Sequence, residues 1–95
     1  MYARVTHYQM KPEMVDDAKA KLEQMKPAIM NLSGMQHFIN ALNEDGSGCV
    51  VALVESRAVS ESNQEAVSQL WAQFADHLAA PPDASGFEVI ANWPG

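Results

Sequence analysis

The chain has 95 residues, 47% of them apolar, and a formal net charge of −6 from 12 Asp and Glu against 6 Lys and Arg. That length fits one domain over 1–95, and the apolar content excludes a disordered chain. The acidic balance argues against nucleic acid and anionic membrane surfaces as partners, since both favour a basic face.

No apolar run approaches the roughly 20 residues of a bilayer span, so no membrane partner is expected. The start, MYARVTHYQM, lacks the apolar core of a signal peptide. The single cysteine, Cys49, cannot close an internal disulfide, and a cytoplasmic location is therefore expected.

Residues 2–10 alternate weakly and are rich in strand formers. Arg4, Thr6 and Tyr8 share one face with Tyr2, and Ala3, Val5 and His7 share the other. Lys11-Pro12 ends the strand, and Pro12 suits the first turn of a helix. Val15, Ala18, Leu22, Met25, Ile29 and Leu32 then recur at helical spacing. Glu13, Asp16 and Asp17 complement the helix dipole. Pro27 removes one backbone bond and crowds the carbonyl of Glu23, which predicts a kink or break with a final turn over 28–32.

Gly34 is the expected left-handed stop of that helix. Met35–Leu42 reads as the second strand, with His37, Ile39 and Ala41 on one face and Gln36, Phe38, Asn40 and Leu42 on the other. Asn43 to Gly48 is a turn rich in residues that tolerate positive φ. Residues 49–54, CVVALV, are continuously apolar and predict a strand buried on both faces. Ser62-Asn63-Gln64-Glu65 matches a capping box, with Val67, Leu70, Trp71, Phe74 and Leu78 following at helical spacing up to Pro81-Pro82. Residues 87–93 alternate as a last strand.

The order β-α-β-β-α-β predicts an α+β, ferredoxin-like fold: one antiparallel sheet with both helices on one face. The other face then has no cover from its own chain. An apolar, uncovered face predicts a homodimer packed through the sheets.

With these elements in place, the chain resembles the antibiotic biosynthesis monooxygenase-like group of dimeric α/β barrels. The likeness rests on Met10-Lys11-Pro12 after the first strand, the Ser33-Gly34-Met35 helix exit, the hairpin into Val50-Val51-Ala52-Leu53-Val54-Glu55-Ser56, and Phe74, Leu78 and Pro81-Pro82 late in the chain. It covers the whole chain as a pattern of order and spacing. The resemblance implies homodimers with sheets face to face. It also implies oxidation of phenol- or quinol-type aromatics by dioxygen with no cofactor, or, in a related branch, haem degradation. The family pattern often carries a Trp after the third strand, and Val54-Glu55-Ser56-Arg57 has none. The haem-degrading branch pairs a first-strand Asn with a Trp and a His on the second helix. This chain offers Thr6 or His7 on the strand, with Trp71 and His77 six residues apart.

Candidate chemistry follows from residue type and place. His77, near the end of the second helix, is either a base in a pocket between helix and sheet or a group favoured by the helix dipole. Trp71, Phe74 and Phe38 either wall an aromatic pocket or belong to the core. Arg4 and Tyr8, with Thr6 between them, form either a polar end to a cavity between paired sheets or a solvated strand face. In a cavity, Arg4 would hold a carboxylate or phenolate and Tyr8 would donate to a substrate oxygen. His7 is expected against the helices. His37 and Asn40 face opposite ways and cannot serve one pocket together. No histidine or cysteine spacing fits a metal site, and no phosphate-binding glycine loop is present. Cys49 reads as a buried, inert thiol.

Overall fold

The computed structural model describes residues Met1–Gly95. It contains β1 (Tyr2–Gln9), a 3-10 turn (Pro12–Met14), α1 (Val15–Met30), β2 (Met35–Leu42) and β3 (Ser47–Val54). After these come α2 (Arg57–Ser62), α3 (Gln64–Ala72) and β4 (Asp83–Glu88). The strands form one antiparallel sheet in the order β2-β3-β1-β4. This is the expected α+β, ferredoxin-like arrangement. No helix is long and apolar enough to cross a membrane.

The core lies between the sheet and α1. That helix buries Val15, Ala18, Met25 and Ile29 against Tyr8, Met10, Val50 and Phe74. Each large side chain among them contributes about 1.5–3 kcal/mol by leaving water. Pro27 does not break α1, which runs unbroken to Met30. It forgoes its own bond to the Glu23 carbonyl, yet the turn beyond it still closes, with Asn31 N–H on the Pro27 carbonyl at 3.0 Å. Gly34 then takes φ +71° as expected, and a Cβ there would lie 2.7 Å from a Val59 methyl.

Several expectations change after β3. The helix begins earlier, at Arg57, because Ser56 caps it by accepting from Val59 N–H. Ser62 is therefore already the last helical residue of α2, and its hydroxyl donates back to the Val59 carbonyl instead of opening a capping box. Asn63 interrupts the helix, donating from Nδ2 to the Ser33 carbonyl at 2.8 Å and so pinning the break to the exit of α1. Further on, α3 stops at Ala72 and does not reach Pro81. Residues 73–77 follow as tightened turns with i→i−3 bonds at Gln73, Phe74, Ala75 and His77.

The last strand is Asp83–Glu88, four residues earlier than its alternation predicts. Its partner sets this limit. β4 pairs with β1 from His7 back to Tyr2, and Val89 N–H reaches the Met1 carbonyl. Beyond that point no backbone remains to pair with, and Ile90 and Trp93 stand 98% and 88% exposed.

Strand register divides the side chains into two sets. Arg4, Thr6 and Tyr8 of β1 lie with Gly48, Val50 and Ala52 of β3 and Phe38, Asn40 and Leu42 of β2 on the helix side. A bulge between Met35 and His37 brings Met35 onto this side and leaves Gln36 exposed. The opposite face carries Val5, Ile39, Val51, Leu53 and Phe87, and no element of the chain covers it. Accordingly β3 is not buried on both faces: only Val50 and Val54 are buried. Cys49 falls on the uncovered side and is half-exposed. His7 also faces outward there, away from the helices.

Candidate functional site

A cavity of about 270 Å³ opens between the sheet and helices α1 and α3. Alternation on β1 aims Arg4, Thr6 and Tyr8 into it, so these three line one cavity wall. The site lies on the helix side of the sheet and not between paired sheets. Phe38 enters from β2, and Trp71 and Phe74 enter from α3 and the turn that follows.

Polar groups in this wall are few, and each has a defined state. Thr6 is buried, 3% exposed. The Tyr8 hydroxyl donates to Asn40 Oδ1, and its ring lies 5.5 Å from that of Trp71, tilted by 56°. Burial pushes the Tyr8 phenol above its ordinary value of 10, with Cys49 on the adjacent strand adding to the shift. Tyr8 is thus a neutral donor at physiological pH. Arg4 Nε is buried without a hydrogen-bond partner. Lys19 joins the wall from α1.

Lys19 is the polar wall residue that sequence reasoning did not consider, and of His37 and Asn40, weighed there as alternatives, it is Asn40 that enters the cavity. Asn40 had a signal, as a polar residue between Phe38 and Leu42 on an otherwise apolar strand face. Lys19 had none, because it reads as the solvated side of an amphipathic helix.

His77 is not brought to this group. It is buried, but it sits in the turns after α3 and is not part of the cavity wall. Its ring packs edge-on against Phe74 at 5.6 Å, and Nε2 pairs with Asp17 Oδ2 of α1 at 2.6 Å. The same segment is stitched to β1 by Lys11 N–H on the His77 carbonyl and Ala79 N–H on the Gln9 carbonyl. Neither a capping role nor a cavity base describes this place. His77 ties α1, the post-α3 turns and the end of β1 together.

The other two histidines, His7 and His37, lie on the uncovered sheet face. No imidazole therefore lines the cavity. The one phenol in it is held neutral and bonded to Asn40, so the residues present do not fit axial ligation of a haem iron. No group of three or more His, Cys, Asp or Glu side chains converges as a metal site would require.

No protein-family model and no curated protein sequence matches the chain. Solved structures do match. A proposed antibiotic biosynthesis monooxygenase from Nitrosomonas europaea superposes with a TM-score of 0.79 at 16% identity, over 96% of this chain and 100% of that one. The protein Rv0793 from Mycobacterium tuberculosis gives 0.75 at 14% identity, over 96% of each chain. A variant of MhuD, crystallised with two manganese protoporphyrin IX molecules per active site, gives 0.72 at 18% identity over the whole of both chains. These likenesses span the full length of the chain, which has the fold of the antibiotic biosynthesis monooxygenase-like proteins.

Proposed function

We propose that this protein is a cofactor-independent monooxygenase of a small phenol- or quinol-type aromatic, acting as a homodimer. The observation that carries the reading is the cavity: apolar and aromatic, with one neutral donor pair, Tyr8 and Asn40, and one unpartnered cation, Arg4, in its wall. Such a site binds a flat apolar ring and holds its oxygen.

Arg4 gives the wall a positive charge that favours an anionic substrate over a neutral one. With the Tyr8 proton given to Asn40 Oδ1, the Asn40 amide N–H is the donor that orients the substrate oxygen beside the Tyr8 hydroxyl, and Trp71, Phe74, Phe38 and Thr6 hold the ring. The electron-rich anion is the reductant of dioxygen. For an anthrone-type substrate the balance is a CH2 centre becoming C=O, with one oxygen atom retained and the other leaving as water. No external reductant enters. His77 supports this site from outside by holding α1 and the Phe74 segment in place.

Dimerisation is proposed through the uncovered sheet face. Ile39 and Phe87 stand 57% and 55% exposed on it beside Val5, Val51 and Leu53. Apolar side chains spread across all four strands call for a partner of the same kind.

The test is dioxygen uptake with a panel of reduced naphthoquinones and anthrones, against heat-denatured protein. Uptake well above the control, reduced in Arg4→Met, is the expected result. Uptake equal to the control across the panel overturns the reading. It would favour a second one, a non-catalytic small-ligand carrier on the same fold. The observation behind that second reading is that no group in the cavity wall is a base suited to neutral pH.

A further inference from the structure

This chain carries twice as many acidic as basic residues, yet the charged groups lining its cavity are Arg4 and Lys19, with no Asp or Glu among them. Neither cation is neutralised. The ion pairs of the chain are Arg57 with Glu61 and His77 with Asp17. On its other side Arg4 borders a smaller polar hollow with Tyr2, Ser60, Glu61 and Gln64. Glu61 there is engaged by Arg57 at 3.1 Å and lies beyond ion-pair distance of Arg4.

Arg4 Nε is shielded from water and unpaired. A desolvated guanidinium donor without an acceptor is costly, and a carboxylate is the acceptor that matches its geometry. The sheet register places a second, different polar group along the same wall. Arg4 and Tyr8 are four residues apart on β1, about 13 Å along the strand at 3.3 Å per residue. At the Tyr8 end the polar pair is neutral: Asn40 Oδ1 is taken by Tyr8, and its amide N–H groups remain as donors. Thr6 and Val50 lie between the two ends, while Phe38 stands level with Arg4 across Ala52 and Trp71 packs on the Tyr8 ring.

We infer that the cavity takes an elongated aromatic acid, with its carboxylate on Arg4 and a hydroxyl or carbonyl oxygen at the Tyr8–Asn40 pair. This deepens the proposed function by naming the substrate class of the same site, and rests on that reading only for the cavity being the place of reaction. Lys19, exposed at the rim, adds positive potential that favours entry of an anion into a protein of net negative charge.

Calorimetric titration of the whole chain with 6-hydroxy-2-naphthoate and with 2-naphthol tests this directly. The two probes share a ring system and a hydroxyl and differ in the carboxylate. The naphthoate is expected to bind at least about tenfold tighter, as a charge-assisted bond requires. Arg4→Met is expected to bring the two affinities within about twofold, and Arg4→Lys to retain part of the difference. Equal affinities in the unaltered protein overturn the inference without recourse to any variant. A preference that persists undiminished in Arg4→Met overturns the assignment to Arg4.

The two readings fail separately. Dioxygen uptake with anthrones but no carboxylate preference defeats the aromatic acid and leaves the oxygenase. Carboxylate preference without uptake above the control does the reverse.

Discussion

Tyr8 and Asn40 are hydrogen-bonded although their strands are not neighbours: β3 lies between β1 and β2. The tyrosine reaches across because the β3 residue paired with it is Gly48. A Cβ at that position would stand 2.5 Å from Tyr8 Cζ and 2.6 Å from its hydroxyl. The missing side chain of Gly48 is thus the slot in which the Tyr8 ring lies, and it sets the shape of the cavity floor.

Gly48→Ala is therefore expected to displace the ring and break the bond to Asn40. Overpacking of this kind costs about 1–3 kcal/mol. In a domain of this size each kcal/mol lowers the melting temperature by about 4–8 °C. Thermal denaturation followed by circular dichroism checks the loss, and an unchanged melting temperature would show that the ring has another resting place.

Alkaline titration reads the state of Tyr8. In Tyr2→Phe, which leaves Tyr8 as the one tyrosine, phenolate absorbance near 295 nm is expected to rise with a midpoint above 10. The link to stability has a definite sign. A folded-state value raised by burial favours the protonated phenol, so its contribution is fully present below the unfolded tyrosine value of about 10. That contribution is lost as pH climbs through the folded value. The stability difference between Tyr2→Phe and Tyr2→Phe/Tyr8→Phe should consequently shrink above pH 10 and stay level between pH 7 and 9.

His77 offers a contrast between support and chemistry. Its side chain is 7% exposed while that of its partner Asp17 is 73% exposed, so the two substitutions differ in cost. His77→Ala is expected to destabilise by about 2 kcal/mol, through lost packing on Phe74 and the tie to α1. Asp17→Asn should cost under about 1 kcal/mol, as for other exposed pairs. Naphthoate affinity in folded His77→Ala should stay within about threefold of the unaltered protein. Full loss of dioxygen uptake with affinity and fold intact would make His77 a catalytic group after all.

The uncovered sheet face yields a test by charge. Val51→Glu puts a carboxylate in the middle of that face, beside Val5 and Ile39 in the paired register. Light scattering on a size-exclusion column is expected to give a dimer for the unaltered chain and a monomer for the variant. A monomer in both cases would remove the self-association proposal.

Element order and the two-faced sheet were legible in the sequence, because period-two alternation and the Gly34 stop depend on local chemistry. The place of Arg4, Thr6 and Tyr8 on one face followed from parity alone. Which way that face points did not follow. It is decided by the helices packing over Val50 and Ala52, and parity is symmetric between the two sides. Pro27 misled because the loss of its one bond did not stop the turn beyond it from closing. The capping box at Ser62 misled because Ser56, six residues earlier, also fits an N-cap and takes the role. The limits of β4 are fixed by where β1 runs out, a fact about its neighbour that its own alternation does not contain. His77 was read from its helix position as either a pocket base or a group favoured by the helix dipole, and neither reading contains its partner Asp17, 60 residues away in the chain.

The position of β1 also governs how the molecule assembles. β1, the strand nearest the N-terminus, is flanked on both sides, by β3 and β4. During synthesis it must wait, unpaired, until about half of the chain has been made, and its second edge stays open until residues 83–88 arrive. Contacts of such long sequence separation make folding slow, because loop closure precedes the gain from pairing. Until β4 docks, the nascent chain exposes an edge able to take a strand from a neighbour. Deleting the last strand should thus be felt less as lost core, since β4 buries none of its residues, than as a standing invitation to aggregate.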